Sequence, residues 1–323
     1  MPRRKTRLQI VSRRPESDVR KAGDSERTRS KSARATELPR VSGRWLLGAV
    51  ALTVAAAALC GWCTLCLLFW QGSWQLLYHP ATAIARTPAS AGLTFDSVGF
   101  AATDAGVPQL SGWWIPAAPS AAFSRFTVLY LHGQDGNLGG TVDALSRLHA
   151  VGVNVLAFDY RGYGQSAFAR PSEAHWRQDA EWALQYLSET RHIDRAAIVL
   201  DGHSLGANLA LEVAAAHPEL AGVVLDSALD DPMAVVFHDA RARLVPARLL
   251  VRDRYELNQA ATALRIPSLW LERIAQPGQS GSTREPDAYR KAQAQKMLVW
   301  LNPSTDTDKQ LEDALSRWLD EIR

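Results

Sequence analysis

The sequence predicts an α/β domain with a mostly parallel sheet, preceded by one membrane-spanning helix. After residue 92, apolar strand-like runs such as "RFTVLYLHG" and "VNVLAFDY" alternate with helical stretches. Strands that alternate with helices of about 10 to 15 residues are typical of a parallel sheet covered on both faces. Upstream of this region, the segment from Trp45 to Trp70 contains no charged side chain.

The elements of the domain follow in order along the chain. The segments "LTFDSVGF" and "PQLSGWWIP" predict an opening pair of strands. The later strands are continuous apolar runs, a pattern typical of burial on both faces: "RFTVLYLHG", "VNVLAFDY", "AAIVLDG", "AGVVLDS", "IPSLWL" and "KMLVWL". Helices are predicted between them near 141–149, 173–188, 204–217, from about 285 and from 308. The last helix would bury one face made of Leu311, Leu315, Trp318, Leu319 and Ile322.

The apolar run at 45–70 is long enough to cross a membrane. As a helix it would extend about 39 Å, against a hydrocarbon core of about 30 Å. An uncleaved anchor is favoured over a secretory signal peptide, because the run is too long and residues 71–79 offer no small-residue cleavage site. The run is flanked by aromatic residues that resemble interfacial belts, namely Trp45 on one side and Trp70, Trp74 and Tyr78 on the other.

The first 44 residues predict a disordered basic tail. They carry a net charge of +9 in a chain whose total is +3, so the rest of the protein is acidic. The tail therefore does not indicate a nucleic-acid-binding domain, although anionic lipid headgroups are a candidate partner for it. The positive-inside rule leaves the tail in the cytoplasm and the domain across the membrane. The Ala- and Arg-rich composition suits a bacterium, which would make this the inner membrane with a periplasmic domain.

The predicted organisation is a tail at 1–44, a transmembrane helix at 45–70, a connector at 71–92 and a domain at 93–323. Within the domain, residues 230–257 are helical in pattern and could form a cap. All three cysteines, Cys60, Cys63 and Cys66, lie in the membrane-spanning run. Their C-x-x-C-x-x-C spacing suggests an iron–sulfur or metal site, but no fourth ligand is near. They are interpreted as apolar helix residues, and neither a metal nor another cofactor is predicted.

The segment "DGHSLGAN" at 201–208 places a Gly-x-Ser-x-Gly motif between a buried strand and a helix. The sharp turn requires glycine on both sides and exposes Ser204 at the amino terminus of the helix. The backbone N–H of Leu205 can then face a developing oxyanion, and that of Gln134 in "LHGQDGN" could supply the second donor. A third loop, "FDYRGYGQS", follows the next strand at the same rim.

With these three loops in this order, the sequence resembles the α/β-hydrolase superfamily, and within it membrane-anchored hydrolases of the serine-aminopeptidase-like type. The resemblance covers residues 95–323. It implies an α/β-hydrolase fold with an eight-stranded, mostly parallel sheet. It also implies hydrolysis of ester, thioester or amide bonds through an acyl-serine at Ser204.

The resemblance places the partners of the serine at two positions where this sequence departs from the family. The acid is expected after "IPSLWL", where Gln276 stands, and the histidine after the last strand, where Asp306 stands. No histidine follows residue 238. Substitute residues remain open: His238 in the possible cap or Lys309 as base, and Asp226 as acid. His203 is interpreted as a poor base because of its direction along the elbow.

Two functions therefore remain open. One is a serine hydrolase that acts on acyl ester or peptide bonds through Ser204, with an unrecognised base. The other is a catalytically inactive relative, a pseudoenzyme that serves as a membrane-tethered binding or interaction module. Either protein would hold an acyl or peptide ligand in the same pocket.

Overall fold

The computed structural model describes residues 42–274, 284–303 and 306–323. The chain divides into two compact units, the first ending at Val54 and the second beginning at Ala55. Helix α1 spans Gly43–Gly72 and contains the predicted apolar run. Its length and composition would allow it to cross a membrane. A single helix of this kind among the described residues is weak evidence for a membrane span. The predicted tail lies almost entirely outside the described residues.

Eight strands of the described chain form one sheet. Their bounds are β1 Asp96–Ala102, β2 Pro108–Ile115, β3 Thr127–Leu131, β4 Asn154–Asp159, β5 Ile198–His203, β6 Gly222–Asp226, β7 Ser268–Arg273 and β8 Lys296–Leu301. The spatial order is β8-β7-β6-β5-β3-β4-β2-β1. Strands β3 to β8 are parallel to one another, whereas β2 is antiparallel to both of its neighbours, β1 and β4. The predicted eight-stranded, mostly parallel sheet is confirmed.

The helices after α1 connect these strands. They are α2 Val142–Val151, α3 Glu173–Gln185, α4 Leu205–Ala216, α5 Pro232–Phe237, α6 Ala247–Leu250, α7 Leu257–Ala263, α8 Asp287–Lys291 and α9 Thr307–Glu321. A π-helical turn over Tyr186–Thr190 extends α3. The region predicted as a possible cap contains the short helices α5 and α6 and a 3-10 turn at Ala240–Arg243.

Two apolar layers cover the two faces of the sheet. Along β3, Leu129 and Leu131 join one layer and Val128 and Tyr130 join the other, as the alternation of side chains in a strand requires. Helices α3 and α4 pack in the first layer, and α2 and α9 in the second. The predicted inner face of α9 is confirmed, since four of its five residues are buried and Ile322 packs beside them.

Residues 77–86, part of the predicted connector, bind the loop that follows β3. His79–Pro80 pairs in parallel with Asp135–Gly136. The side-chain amide of Asn137 donates hydrogen bonds to the carbonyls of Ala81 and Ala83, at 3.0 and 2.8 Å. These bonds fix the position of the loop that carries Gln134.

Tyr78 does not belong to an interfacial belt, so this prediction is wrong. Its side chain is buried, and its hydroxyl group forms a 2.9 Å hydrogen bond with that of Tyr255. It also packs edge-on against Trp176. Because this contact links residues far apart in sequence, the local aromatic pattern could not indicate it.

Candidate active site

Ser204 lies in the sharp turn between β5 and α4. Its backbone has φ of +54° and ψ of −122°, a conformation that costs a non-glycine residue about 1–3 kcal/mol. Because the turn is tight, only glycine fits at the two flanking positions. A side chain at Gly202 would overlap the carbonyl of Gly206, and one at Gly206 would overlap that of Leu131. The N–H of Ser204 donates to the carbonyl of Asp226 at 2.9 Å, which fixes the turn against β6.

The side chain of Gln134 occupies the space in front of the serine. Its amide oxygen accepts hydrogen bonds from the Ser204 hydroxyl at 3.1 Å and from the Leu205 N–H at 3.3 Å. The backbone carbonyl of Gln134 accepts from the His79 N–H and the Tyr163 hydroxyl, both at 2.9 Å. Within the described residues, the Gln134 N–H donates to no protein atom. The three residues predicted for the nucleophile and its oxyanion donors therefore lie together.

His203, Asp226 and Arg273 form a charged cluster beside the serine. The Nδ1 atom of His203 lies 3.0 Å from one carboxylate oxygen of Asp226. Arg273 donates to both oxygens of that carboxylate, at 2.5 and 3.2 Å, and also to the hydroxyl of Ser227. Burial alone would raise the pKa of Asp226, but the hydrogen bonds from His203 and Arg273 hold it well below its usual range.

Sequence reasoning missed Arg273 and the side-chain role of Gln134. The signal for Arg273 was its place at the carboxyl end of β7, since active sites in such sheets lie beyond the carboxyl ends of the strands. The signal for Gln134 was weaker, because only the backbone of that position was expected to act. Gln134 contacts Ser204, and Arg273 contacts Asp226 from a neighbouring strand, and a local pattern does not reveal either contact.

A cavity of about 480 Å³ opens over these groups. Its lining includes the serine, the glutamine and the charged cluster just described, together with Arg147 from α2. Arg147 pairs with Asp308 at 3.1 Å. Charged and polar side chains therefore surround the opening above Ser204.

The predicted substitute bases lie elsewhere, whereas Asp226, the predicted substitute acid, lies beside His203 and lines the cavity. Asp306 accepts a hydrogen bond from the Lys309 N–H at 3.1 Å and so caps α9. His238 is exposed at the end of α5, with Nδ1 at 2.7 Å from the carbonyl of Ala234. None of these three residues lines the cavity, as far as the described residues show. Gln276 lies outside the described residues.

His132 reaches the cavity lining but is almost wholly buried. Its Nδ1 atom lies 2.7 Å from the carbonyl of Gly133, and its ring packs against Tyr160 and Tyr163. Burial lowers its pKa to about 4, so the ring is neutral near pH 7. Its place in an aromatic cluster supports the geometry of the oxyanion loop.

The described residues contain no group of three His, Cys, Asp or Glu side chains that could hold a metal ion. Cys60 and Cys63 are exposed on α1 and Cys66 is half-buried.

Comparison with known proteins identifies related sequences and folds. The family model described as "Alpha/beta hydrolase family" matches residues 128–323. The protein Rv2307c of Mycobacterium tuberculosis is 30% identical over 210 residues, which cover 63% of this chain and 69% of that protein. The protein YfhR of Salmonella typhi is 30% identical over 214 residues, covering 61% and 69%. Among solved structures, the Pyrococcus furiosus esterase PF2001 superposes with a TM-score of 0.56 at 17% identity, covering 76% of this chain and 98% of the esterase.

Proposed function

Because this chain belongs to the alpha/beta hydrolase family, we propose that it hydrolyses acyl ester bonds through attack by Ser204. One observation carries the proposal. A single carbonyl-type oxygen, that of the Gln134 side chain, lies within hydrogen-bond reach of both the Ser204 hydroxyl and the Leu205 N–H. A substrate that displaced the amide would present its acyl oxygen to the same N–H, where a developing negative charge is stabilised.

We propose His203 as the base, which revises the prediction that its position makes it a poor one. It lines the same cavity as Ser204, and its side chain is 43% exposed. Asp226 holds Nδ1 and thereby favours the tautomer with a free acceptor at Nε2, as a triad acid does. Arg273 keeps the carboxylate charged.

The proposed reaction has two steps. The serine oxygen bonds to the acyl carbon while its proton passes to Nε2 of His203, and the alcohol then leaves with that proton. In the second step, water attacks the acyl carbon and gives a proton to the same nitrogen. The bond between the acyl carbon and the serine oxygen then breaks, the proton passes from Nε2 to the serine oxygen, and the acid is released. The backbone N–H groups of Leu205 and Gln134 stabilise the oxyanion in both steps.

The alternative is a pseudoenzyme that binds an acyl or peptide ligand without turnover. It is favoured by the hydrogen bond of the Ser204 hydroxyl, which goes to Gln134 and not to a histidine in the described residues. The use of Asp306 as a helix cap, where the family places a histidine, also favours it.

A covalent probe separates the two functions. The purified full-length protein is treated with a fluorophosphonate, beside Ser204→Ala and the control Ser316→Ala on α9. Labelling that is lost only in Ser204→Ala, together with hydrolysis of a short acyl ester, supports the hydrolase. A folded protein that neither labels nor hydrolyses the ester contradicts it and leaves the binding module.

Helix α1 is proposed to be a single-pass anchor in a bacterial inner membrane, with the tail cytoplasmic and the domain periplasmic. Its length and apolar composition support the anchor, and the basic residues on its amino-terminal side support the orientation. The basic tail would bind anionic lipid headgroups. A reporter fused after Arg323 tests the orientation, because activity typical of a cytoplasmic reporter would contradict it.

A further inference from the structure

A segment of the predicted cap lies along helix α1. The indole N–H of Trp62 donates to the carbonyl of Leu244 at 3.2 Å. Farther along both segments, the guanidinium of Arg252 lies 5.6 Å from the ring centre of Trp70. Trp62 and Trp70 are separated by the same number of residues as Leu244 and Arg252. The segment therefore follows about two turns of α1.

This segment presents apolar and cationic side chains to solvent together. Leu244 is 62% exposed and Leu249 is 80% exposed. Arg243 and Arg248 are exposed beside them, and neither has a carboxylate partner among the described residues. We call these four residues the cap strip.

The backbone of the cap strip is held in place by the domain. Ala242, Val245 and Ala247 alternate with the strip residues and are buried in the apolar layer. The exposure of the two leucines therefore follows from the folded position of the segment. A fixed segment with two apolar and two cationic side chains outward matches an interfacial membrane surface.

The position of the strip along α1 places it at the expected bilayer surface. About 20 helical residues cross a hydrocarbon core, and counting from Trp45 this length ends near Thr64. Beyond that point, Leu65, Cys66 and Phe69 pack against the apolar layer of the domain. The hydrocarbon boundary then falls near Trp62, which contacts Leu244.

We infer that the cap strip binds the surface of the phospholipid bilayer, with Leu244 and Leu249 at the boundary between headgroups and acyl chains and Arg243 and Arg248 on anionic headgroup phosphates. The inference rests on the proposed membrane anchor. Its own support is the charge of the strip, which complements anionic lipid, and its direct continuity with α1. With α1 as the first attachment, the contact of the cap strip with the bilayer would fix the orientation of the domain on the membrane.

Fluorescence quenching by lipid tests the inference on the full-length protein. Leu244→Cys and Leu249→Cys are made in a background of Cys60→Ala, Cys63→Ala and Cys66→Ala and labelled with bimane. The proteins are placed in nanodiscs of phosphatidylcholine and phosphatidylglycerol that carry doxyl quenchers near the headgroup. Both labels are expected to lose fluorescence several-fold. A label at Asp320→Cys, on α9 across the sheet, is expected to keep it.

A variant in which Cys60 is the only cysteine carries the label within α1. It distinguishes a failure of this inference from a failure of the proposed anchor. Quenching at Cys60 without quenching at Leu244→Cys and Leu249→Cys overturns the cap strip and leaves the anchor standing. Absence of quenching at all three positions overturns both.

The arginines are tested in the Leu249→Cys protein. Arg243→Gln with Arg248→Gln is expected to reduce its quenching in anionic nanodiscs to that seen in pure phosphatidylcholine. The matched control, Arg317→Gln on α9, is expected to leave it unchanged. Unchanged quenching in the double variant overturns the role of the arginines on headgroup phosphates.

Discussion

The hydroxyl of Ser204 donates a 3.1 Å hydrogen bond to the side-chain oxygen of Gln134, and the same oxygen accepts from the Leu205 N–H. The residue expected to stabilise an oxyanion through its backbone thus fills the oxyanion site with its own side chain. In the proposed hydrolase, a substrate would displace this amide before the serine attacks. The exchange costs on the order of 1 kcal/mol, the usual net value of a hydrogen bond.

Gln134→Ala is expected to speed the reaction of Ser204 with a fluorophosphonate about fivefold, since about 1.4 kcal/mol corresponds to a tenfold change. The substitution removes the competing oxygen and keeps the backbone N–H. The measurement is the initial rate of labelling of the full-length protein. Gln259→Ala, an exposed position on α7, serves as control and should leave the rate unchanged. Slower labelling of Gln134→Ala would mean that the amide assists the reaction.

His203→Gln and Asp226→Asn are each expected to lower the rate of ester hydrolysis by about 100-fold or more, the usual contribution of a general base. The first removes the proposed proton acceptor, and the second removes the charge that orients it. His238→Gln is the comparison, because His238 is exposed and does not line the cavity. Full activity in His203→Gln together with loss of activity in His238→Gln would mean that His238 is the base.

Arg273→Met is expected to move the acid limb of the pH–rate profile to higher pH. Hydrogen bonds from His203 and Arg273 hold the pKa of Asp226 below its usual range, against the effect of burial. Without Arg273 the carboxylate would gain its proton at a higher pH and release His203. Rates of ester hydrolysis measured between about pH 4 and pH 8 give the profile. Arg273→Lys, which keeps the positive charge, should return the profile part of the way to that of the native protein. If Arg273→Met does not move the profile, the charge of Asp226 does not affect the reaction.

The strands and the elbow could be predicted because each depends on a short, local pattern. The run "AAIVLDG" and the two glycines around Ser204 specify a buried strand and a sharp turn without information from distant residues. The hydrogen bonds at the site could not be predicted in this way. Arg273 meets Asp226 across neighbouring strands, and Gln134 meets Ser204 through a side-chain conformation that only the packed loop defines.

The predicted cap contains less helix than its sequence pattern indicates. Residues 230–257 have a helical pattern of apolar residues, but the structure forms only short helices there. Proline accounts for part of this result, since Pro246 cannot donate a helical hydrogen bond and stands immediately before α6. The exposed leucines of the cap strip are consistent with contacts beyond the domain, which sequence periodicity does not describe.

Gly206→Ala is expected to destabilise the fold by about 3 kcal/mol, at the upper end for overpacking. A methyl group there would overlap the carbonyl oxygens of Leu131 and His132, so the elbow and the oxyanion loop would have to separate. Gly140→Ala is a matched control, because no atom lies within 4 Å of its added methyl group. Thermal unfolding of both variants gives the comparison. Equal melting temperatures would mean that the two loops are not packed as described.

Asp201→Asn is expected to stabilise the protein more at high pH than at low pH. Burial, together with the charge of Asp226, raises the pKa of Asp201 to about 7. In the unfolded chain the group loses its proton near pH 3.9, so between these values the folded state binds a proton that the unfolded state has lost. The stability contributed by this proton is complete below about pH 3.9 and is lost as the pH rises through about 7.

Asparagine has no proton to lose, so the stability of Asp201→Asn relative to the native protein should increase from about pH 5 to about pH 8, by a few kcal/mol at most. Thermal unfolding of the full-length protein at the two pH values measures this difference. The exposed control Asp320→Asn should show no such change. An equal effect of Asp201→Asn at both pH values would show that the buried carboxyl group keeps its ordinary pKa.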